Sequence, residues 1–222
     1  MIVHAVDDVS LHVEEKEIVG LVGESGCGKS TFGKTLVGLH EKTAGEVIFR
    51  GERLPRAYKP SDFRRYATSI QMIFQDPYSS LNPRMTVGEI VGEGLRLHSA
   101  LTSSQIDEAV AQWLRDVGLE PDHMSRYPHE FSGGQRQRIG VARALIMKPE
   151  FVVCDEPISA LDVSVQAQVI TLLDDLKTSL GLTLLFIAHD LSMVRYVSDR
   201  MAVMYLGSLV EIGVTDDVFF NP

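Results

Sequence analysis

Residues 23–30, Gly-Glu-Ser-Gly-Cys-Gly-Lys-Ser, place a lysine and a hydroxyl directly behind a glycine-rich stretch. Glycines let a backbone curl so that successive N–H groups point inward at an anion. A helix starting near Lys29 would add partial positive charge at the same point. The spacing fits G-x-x-x-x-G-K-[ST], in which Lys29 reaches the β- and γ-phosphates of a nucleotide and the Ser30 hydroxyl ligates Mg²⁺. Context supports this reading over a chance glycine turn. The apolar run Ile18–Val22 precedes the loop as a strand would, and Phe32, Leu36 and Val37 follow it at helical spacing.

Two further groups carry chemistry. Phe151-Val152-Val153-Cys154 is followed by Asp155 and Glu156. A buried strand ending in two acids delivers them to the carboxyl edge of a sheet, where α/β folds bind ligands. Asp155 suits the Mg²⁺ shell, reached through water, and Glu156 suits polarisation of an attacking water. Ser132-Gly133-Gly134-Gln135 precedes a helical run and so forms a second helix N-terminus with free N–H groups. One nucleotide does not need two such helix ends from one subunit. Two subunits packed head to tail would use both.

The elements that must position these groups can be outlined from pattern. Strands are expected at Ile2–Val6, Ser10–Val13, Ile18–Val22, Gly45–Arg50, Ile70–Phe74, Phe151–Cys154 and Thr183–Ala188, with a hairpin of Met201–Tyr205 and Ser208–Ile212 turned at Gly207. Helices are expected at about Lys29–Leu39, Gly133–Met147, Val163–Leu180 and Leu191–Val197, with a helical stretch from Val87 to Val117. Ser104-x-x-Asp107 resembles a capping box, and Ile106, Val110, Trp113, Leu114 and Val117 share one face behind it, which makes Trp113 a core residue. Gln75–Pro83 is rich in turn residues and excludes a helix interior. Strands alternating with helices predict a parallel α/β sheet with a helical insert between Gln75 and Ser132.

Bulk properties narrow the class. A chain of 222 residues buries about 70% of its unfolded surface and needs no covalent staple. Cys27 and Cys154 show no metal-ligand spacing and read as free thiols in a reducing compartment. A net charge of −9 argues against non-specific nucleic-acid binding, which needs a basic face. No apolar run approaches a membrane span, and no signal peptide is visible. A soluble domain able to dock on a membrane protein fits. Both ends read as cut, so the chain is expected to continue in both directions.

Together these motifs resemble the nucleotide-binding domain of the ABC transporter ATPases. Gly23–Ser30 is similar to the Walker A loop, Ser132–Gln135 to the SGGQ signature, and Phe151–Glu156 to the Walker B strand with its glutamate. Ser159–Asp162 resembles the D-loop, Gln75 the Q-loop glutamine and His189 the switch histidine, in the family order over nearly the whole chain. The resemblance implies a P-loop NTPase fold: a mainly parallel core sheet, an N-terminal antiparallel β part and a helical subdomain at about residues 84–145, all in one domain of residues 1–222.

It also implies roles. Gly23, Glu24, Ser25, Gly26, Cys27, Gly28, Lys29, Ser30 and Thr31 hold ATP. Ser30 and Gln75 ligate Mg²⁺, with Asp155 in its shell. Glu156 is the general base, and His189 contacts the γ-phosphate. Ser132, Gly133, Gly134 and Gln135 close on the partner's ATP, and Asp162 couples the two sites. His4, His12, His40, His98, His123 and His129 have no such support and read as surface groups. The family usually stacks adenine on an aromatic residue upstream of the loop. Residues 1–22 contain no Phe, Tyr or Trp, so weakened ATP affinity is expected.

Residues 75–84 and 126–132, with Ala5–Ser10 and Val218–Pro222, resemble the oligopeptide, dipeptide and nickel importer ATPases. That implies ATP-driven dimer closure with a second ATP-binding domain at the cytoplasmic face of a membrane, acting on permease subunits and, through them, a solute-binding protein. Peptides, nickel, glutathione-like thiols and sugars all remain open as cargo. A soluble ABC ATPase acting on ribosomes or DNA fits less well, because the domain is acidic and carries no long coiled-coil insertion. A non-catalytic regulatory module fits less well because Glu156 and His189 are both present.

Overall fold

Ile18–Val22 (β1) is buried at every position, as expected of a central strand covered on both faces. The computed structural model describes residues 5–159 and 161–221. After β1 come α1 (Lys29–Leu36), β2 (Ile48–Phe49), β3 (Glu52–Arg53), α2 (Pro60–Tyr66), β4 (Ile70–Ile73) and α3 (Pro77–Ser80). Then follow α4 (Val87–His98), α5 (Ser103–Asp116), α6 (Gly133–Leu145), β5 (Phe151–Asp155), α7 (Val163–Leu180), β6 (Thr183–Ile187), α8 (Leu191–Val197), β7 (Arg200–Tyr205), β8 (Ser208–Val214) and α9 (Thr215–Phe220). Short 3₁₀ turns occupy Pro121–Ser125 and Pro128–Glu130.

Among the described residues six strands form one sheet in the order β4-β5-β6-β1-β7-β8. All neighbours are parallel except the β7–β8 hairpin at one edge. The strand period of two sorts the core. Val19, Leu21, Val153, Leu185 and Ile187 face one side and pack with α1 residues Phe32 and Leu36. Ile18, Val22, Val152, Cys154, Leu184 and Phe186 face the other and join the core built by α4, α5 and α6. Gly33 lets α1 lie close to the sheet, since a Cβ there would meet Ile187 Cδ1 at 2.8 Å and Val153 Cγ1 at 3.0 Å.

Several local expectations change. The Gly45–Arg50 segment pairs only at Ile48–Phe49, in a small antiparallel hairpin with Glu52–Arg53. Ser10–Val13 joins no ladder; Leu11 and Val13 pack on the sheet as irregular chain. Most of the expected strand Ile2–Val6 lies outside the described residues. The cap of α5 is Thr102 with Gln105, two residues earlier than Ser104 and Asp107: the Thr102 Oγ1 accepts from the Gln105 N–H, and Gln105 Oε1 accepts from the Thr102 N–H. Its buried face is still Ile106, Val110, Trp113 and Leu114. The turn-rich stretch holds one helical turn, α3, because Pro77 sits at its first position and the Asp76 carboxylate accepts from the Tyr78 N–H. His123 is half-buried, edge-on against Phe131 at 5.2 Å, and so is less exposed than expected.

Candidate nucleotide site

Strand register brings the chemistry together. Ile73 pairs with Cys154, so Gln75 and Glu156 each lie two residues past a matched pair. Asp155 pairs with Ile187, which pairs in turn with Leu21. His189 and Gly23 therefore leave the sheet at one level. Adjacent strands lie about 4.8 Å apart, so four strand ends put a glutamine, two carboxylates, a histidine and the glycine loop along one edge.

The loop from Gly23 to Gly28 runs into α1 through Gly28, whose φ of 110° lies in the left-handed region. A Cβ at Gly28 would strike the Ala5 carbonyl, so both conformation and space call for glycine there. The turn between β7 and β8 braces the loop from the other side: the Gly207 N–H donates to the Cys27 carbonyl at 2.9 Å and the Asp7 N–H to the Gly207 carbonyl at 2.7 Å. Only the hairpin turn at Gly207 was legible in the sequence; its contact with residue 27 was not.

Lys29 is buried, and its ammonium donates to the Gly23 carbonyl at 2.7 Å and the Glu24 carbonyl at 2.9 Å. The Ser30 hydroxyl donates to Asp155 Oδ1 at 2.7 Å. Burial pushes the Asp155 carboxyl above its ordinary range, against the opposing pull of the Ser30 hydrogen bond and of Lys34 and Lys29. Glu156 takes a left-handed backbone with φ 44°, a conformation that costs a non-glycine residue roughly 1–3 kcal/mol. Its N–H still donates to the Ile187 carbonyl at 3.0 Å, which ends the ladder and turns the side chain away from the strand. Gln75 Nε2 donates to Glu156 Oε2 at 3.0 Å, and His189 Nδ1 lies 3.5 Å from the same oxygen. The His189 side chain is 59% exposed and that of Glu156 only 13%, so the carboxylate is enclosed by protein and the imidazole faces solvent.

A cleft of about 410 Å³ is lined by Ser25, Gly26, Cys27, Gly28, Lys29, Ser30, Thr31, Gln75 and Glu156, with Ala5, Leu206 and Gly207 added by the fold. Ser132–Gln135 and Asp162 are not among its walls. Ser132 caps α6: its Oγ accepts from the Gln135 N–H at 3.3 Å, while its own N–H donates to Gln135 Oε1 at 3.0 Å. It is exposed, as is Asp162 at the start of α7. Cys27 and Cys154 are both buried free thiols, and burial followed by the Asp155 charge pushes the Cys154 thiol up to about 12. No helix among the described residues is long and apolar enough to cross a membrane.

The ABC transporter family matches residues 6–159. This chain belongs to it. The oligopeptide transport ATP-binding protein OppF of Bacillus subtilis strain 168 is 56% identical over 221 residues, covering 99% of this chain and 72% of that protein. OppF of Escherichia coli K12 is 54% identical over 219 residues, covering 98% of this chain and 65% of its own length. The chain thus spans between two thirds and three quarters of the first and just under two thirds of the second. Among solved structures, the dimeric ATP-binding cassette MJ0796 in a post-hydrolysis state with ADP and Pi superposes with a TM-score of 0.87 at 27% identity, over 96% of this chain and 91% of that one. An ABC transporter cassette binds and hydrolyses ATP, and this chain has the fold and sequence of one.

Proposed function

We propose that the chain is the ATP-hydrolysing subunit of an importer for oligopeptides or related small solutes. It would act on membrane permease subunits by pairing head to tail with a second cassette, at the cytoplasmic face of the membrane. The observation that carries the hydrolytic part is the convergence of Gln75 and His189 on one Glu156 oxygen beside the phosphate loop. The transport names of relatives more than half identical support the cargo class.

In this reading the loop amides and Lys29 hold the β- and γ-phosphates, and Thr31 lies beside them. Ser30, Asp155 and the amide oxygen of Gln75 are hard-oxygen donors of the kind that suits Mg²⁺, which would neutralise phosphate charge. Glu156 takes the proton of the attacking water, and Gln75 and His189 hold its carboxylate in place. The Ser132–Gln135 helix end, exposed at Ser132, and Asp162 serve the second cassette's nucleotide.

Native co-purification tests the assignment: a Glu156→Gln form retained on MgATP and used as bait in source membranes should recover polytopic permease subunits and a solute-binding protein. Ribosomes or DNA-processing proteins without a permease would overturn it.

Replacing Lys29 with Ala removes one charge-assisted contact to phosphate, each typically about 1.5–3 kcal/mol. The ATP dissociation constant should rise about tenfold to a hundredfold by calorimetry. Asp155→Asn should raise the melting temperature of the nucleotide-free protein at pH 7. A carboxyl whose folded pKa is raised loses stability as pH climbs from its unfolded pKa through the folded one, and the neutral amide avoids that loss while still accepting from Ser30. The same change should remove most Mg²⁺-dependent turnover, since the metal would lose a carboxylate. Calorimetric melting and phosphate release on one preparation check both.

A further inference from the structure

The segment bearing Gln75 is gripped on both sides by one helix. Phe74, just before it, lies under the Arg143 guanidinium at 5.7 Å, and Tyr78, three residues after it, lies under that of Arg136 at 3.7 Å. Both arginines belong to α6, whose N-cap is Ser132. Arg143 also donates to the Ser80 carbonyl. The Arg136 guanidinium is buried, and its Nε donates to the Pro128 carbonyl at 2.7 Å and its Nη2 to the His129 carbonyl at 3.4 Å. One planar cation thus touches the ring that follows Gln75 and the turn that leads into Ser132. Its Nη1 has no hydrogen-bond partner among the described residues, so the Tyr78 face is the compensating contact the structure offers it. Tyr78 is 66% exposed. An aromatic that contributes so little to the core is placed by its cation.

We propose that Arg136 and Tyr78 are positioning residues that transmit the state of Gln75 to the Ser132 helix end. The inference rests on Gln75 sensing nucleotide in its own cleft and Ser132 serving the partner's. A shift of Gln75 away from Glu156 carries Tyr78 with it, because Pro77 and the single turn of α3 leave little slack between them. Arg136 follows the ring and re-aims the Pro128–Ser132 turn. Occupancy of one site is thereby reported to the surface that completes the other.

The test is amide hydrogen exchange at residues 132–136 with and without MgATP, on wild type, Tyr78→Phe, Tyr78→Leu and Arg136→Lys. Phenylalanine keeps the ring face; leucine removes it; lysine keeps the charge without the planar stack. Wild type and Tyr78→Phe should show a MgATP-dependent change. Tyr78→Leu and Arg136→Lys should lose at least about fivefold of it, at an ATP affinity within about twofold of wild type. Tyr78→Leu leaves the buried Arg136 guanidinium without its ring face and should lower the melting temperature with and without MgATP alike. Loss of the MgATP-dependent difference in exchange, at unchanged ATP affinity, is what a merely structural role would not produce. A full response in Tyr78→Leu, or none in wild type, would overturn the proposal. Failure of the importer assignment would show instead in the co-purification, which this exchange experiment does not use.

Discussion

Glu156→Gln is expected to lower ATP turnover by about 10²–10⁴-fold, the usual contribution of a general base, while MgATP stays bound. The neutral amide has nearly the shape of the carboxylate, so its oxygen can still accept from Gln75 Nε2, and the left-handed backbone at this residue is unchanged. What disappears is the negative oxygen that His189 and Gln75 share. Binding and chemistry should therefore separate: equilibrium ATP affinity unchanged or tighter, phosphate release at saturating ATP nearly abolished, and a cassette pair that persists because its nucleotide is not consumed. Wild-type turnover in this variant would remove Glu156 from the role.

Ser132→Arg should abolish turnover by a different route, by at least about a hundredfold, with ATP binding by the single chain held within about twofold. Ser132 is exposed and lies outside the walls of the chain's own cleft, so a large side chain there does not reach the Lys29 loop. It would occupy the space a second cassette needs. Loss of the cap also costs α6 about 1 kcal/mol. Ser132→Ala separates the two effects, since it loses the hydroxyl without adding bulk and should retain more activity than Ser132→Arg. Turnover against protein concentration, with size-exclusion chromatography in MgATP on the Glu156→Gln background, reads the outcome. Unchanged hydrolysis in Ser132→Arg would mean that each cleft is complete by itself.

The legible and illegible parts of this chain divide by range. The glycine loop, the acid-ended strand and the alternation of strands with helices are local signals, and the elements that carry them form within a residue or a few of their expected bounds. The apolar face of α5 was readable from period alone, yet its cap was misplaced by two residues because Thr102–Gln105 and Ser104–Asp107 offer equivalent side chains. The helix Pro60–Tyr66 gives no periodic signal, because its charged sequence buries only Tyr66 and has no apolar stripe. Ser10–Val13 alternates like a strand, but among the described residues it joins no ladder, and Leu11 and Val13 instead pack on a face of the sheet. The contacts that define the site span long stretches of sequence. Gln75 meets Glu156, and Ser30 meets Asp155, only because β4, β5, β6 and β1 share one register. The Arg136–Tyr78 stack belongs to this class as well: Tyr78 stands in one recognisable stretch and Arg136 directly after another, and neither announces the other.

The Lys29 ammonium, tied to the Gly23 and Glu24 carbonyls, makes the loop self-liganded. A buried cation held this way keeps its shape before any anion arrives, so capture of a nucleotide is an exchange of partners and not a folding event. Arrival should then be governed by diffusion and field, with little ordering entropy to surrender. Departure of product should then restore the carbonyl contacts, since the same two acceptors remain in place.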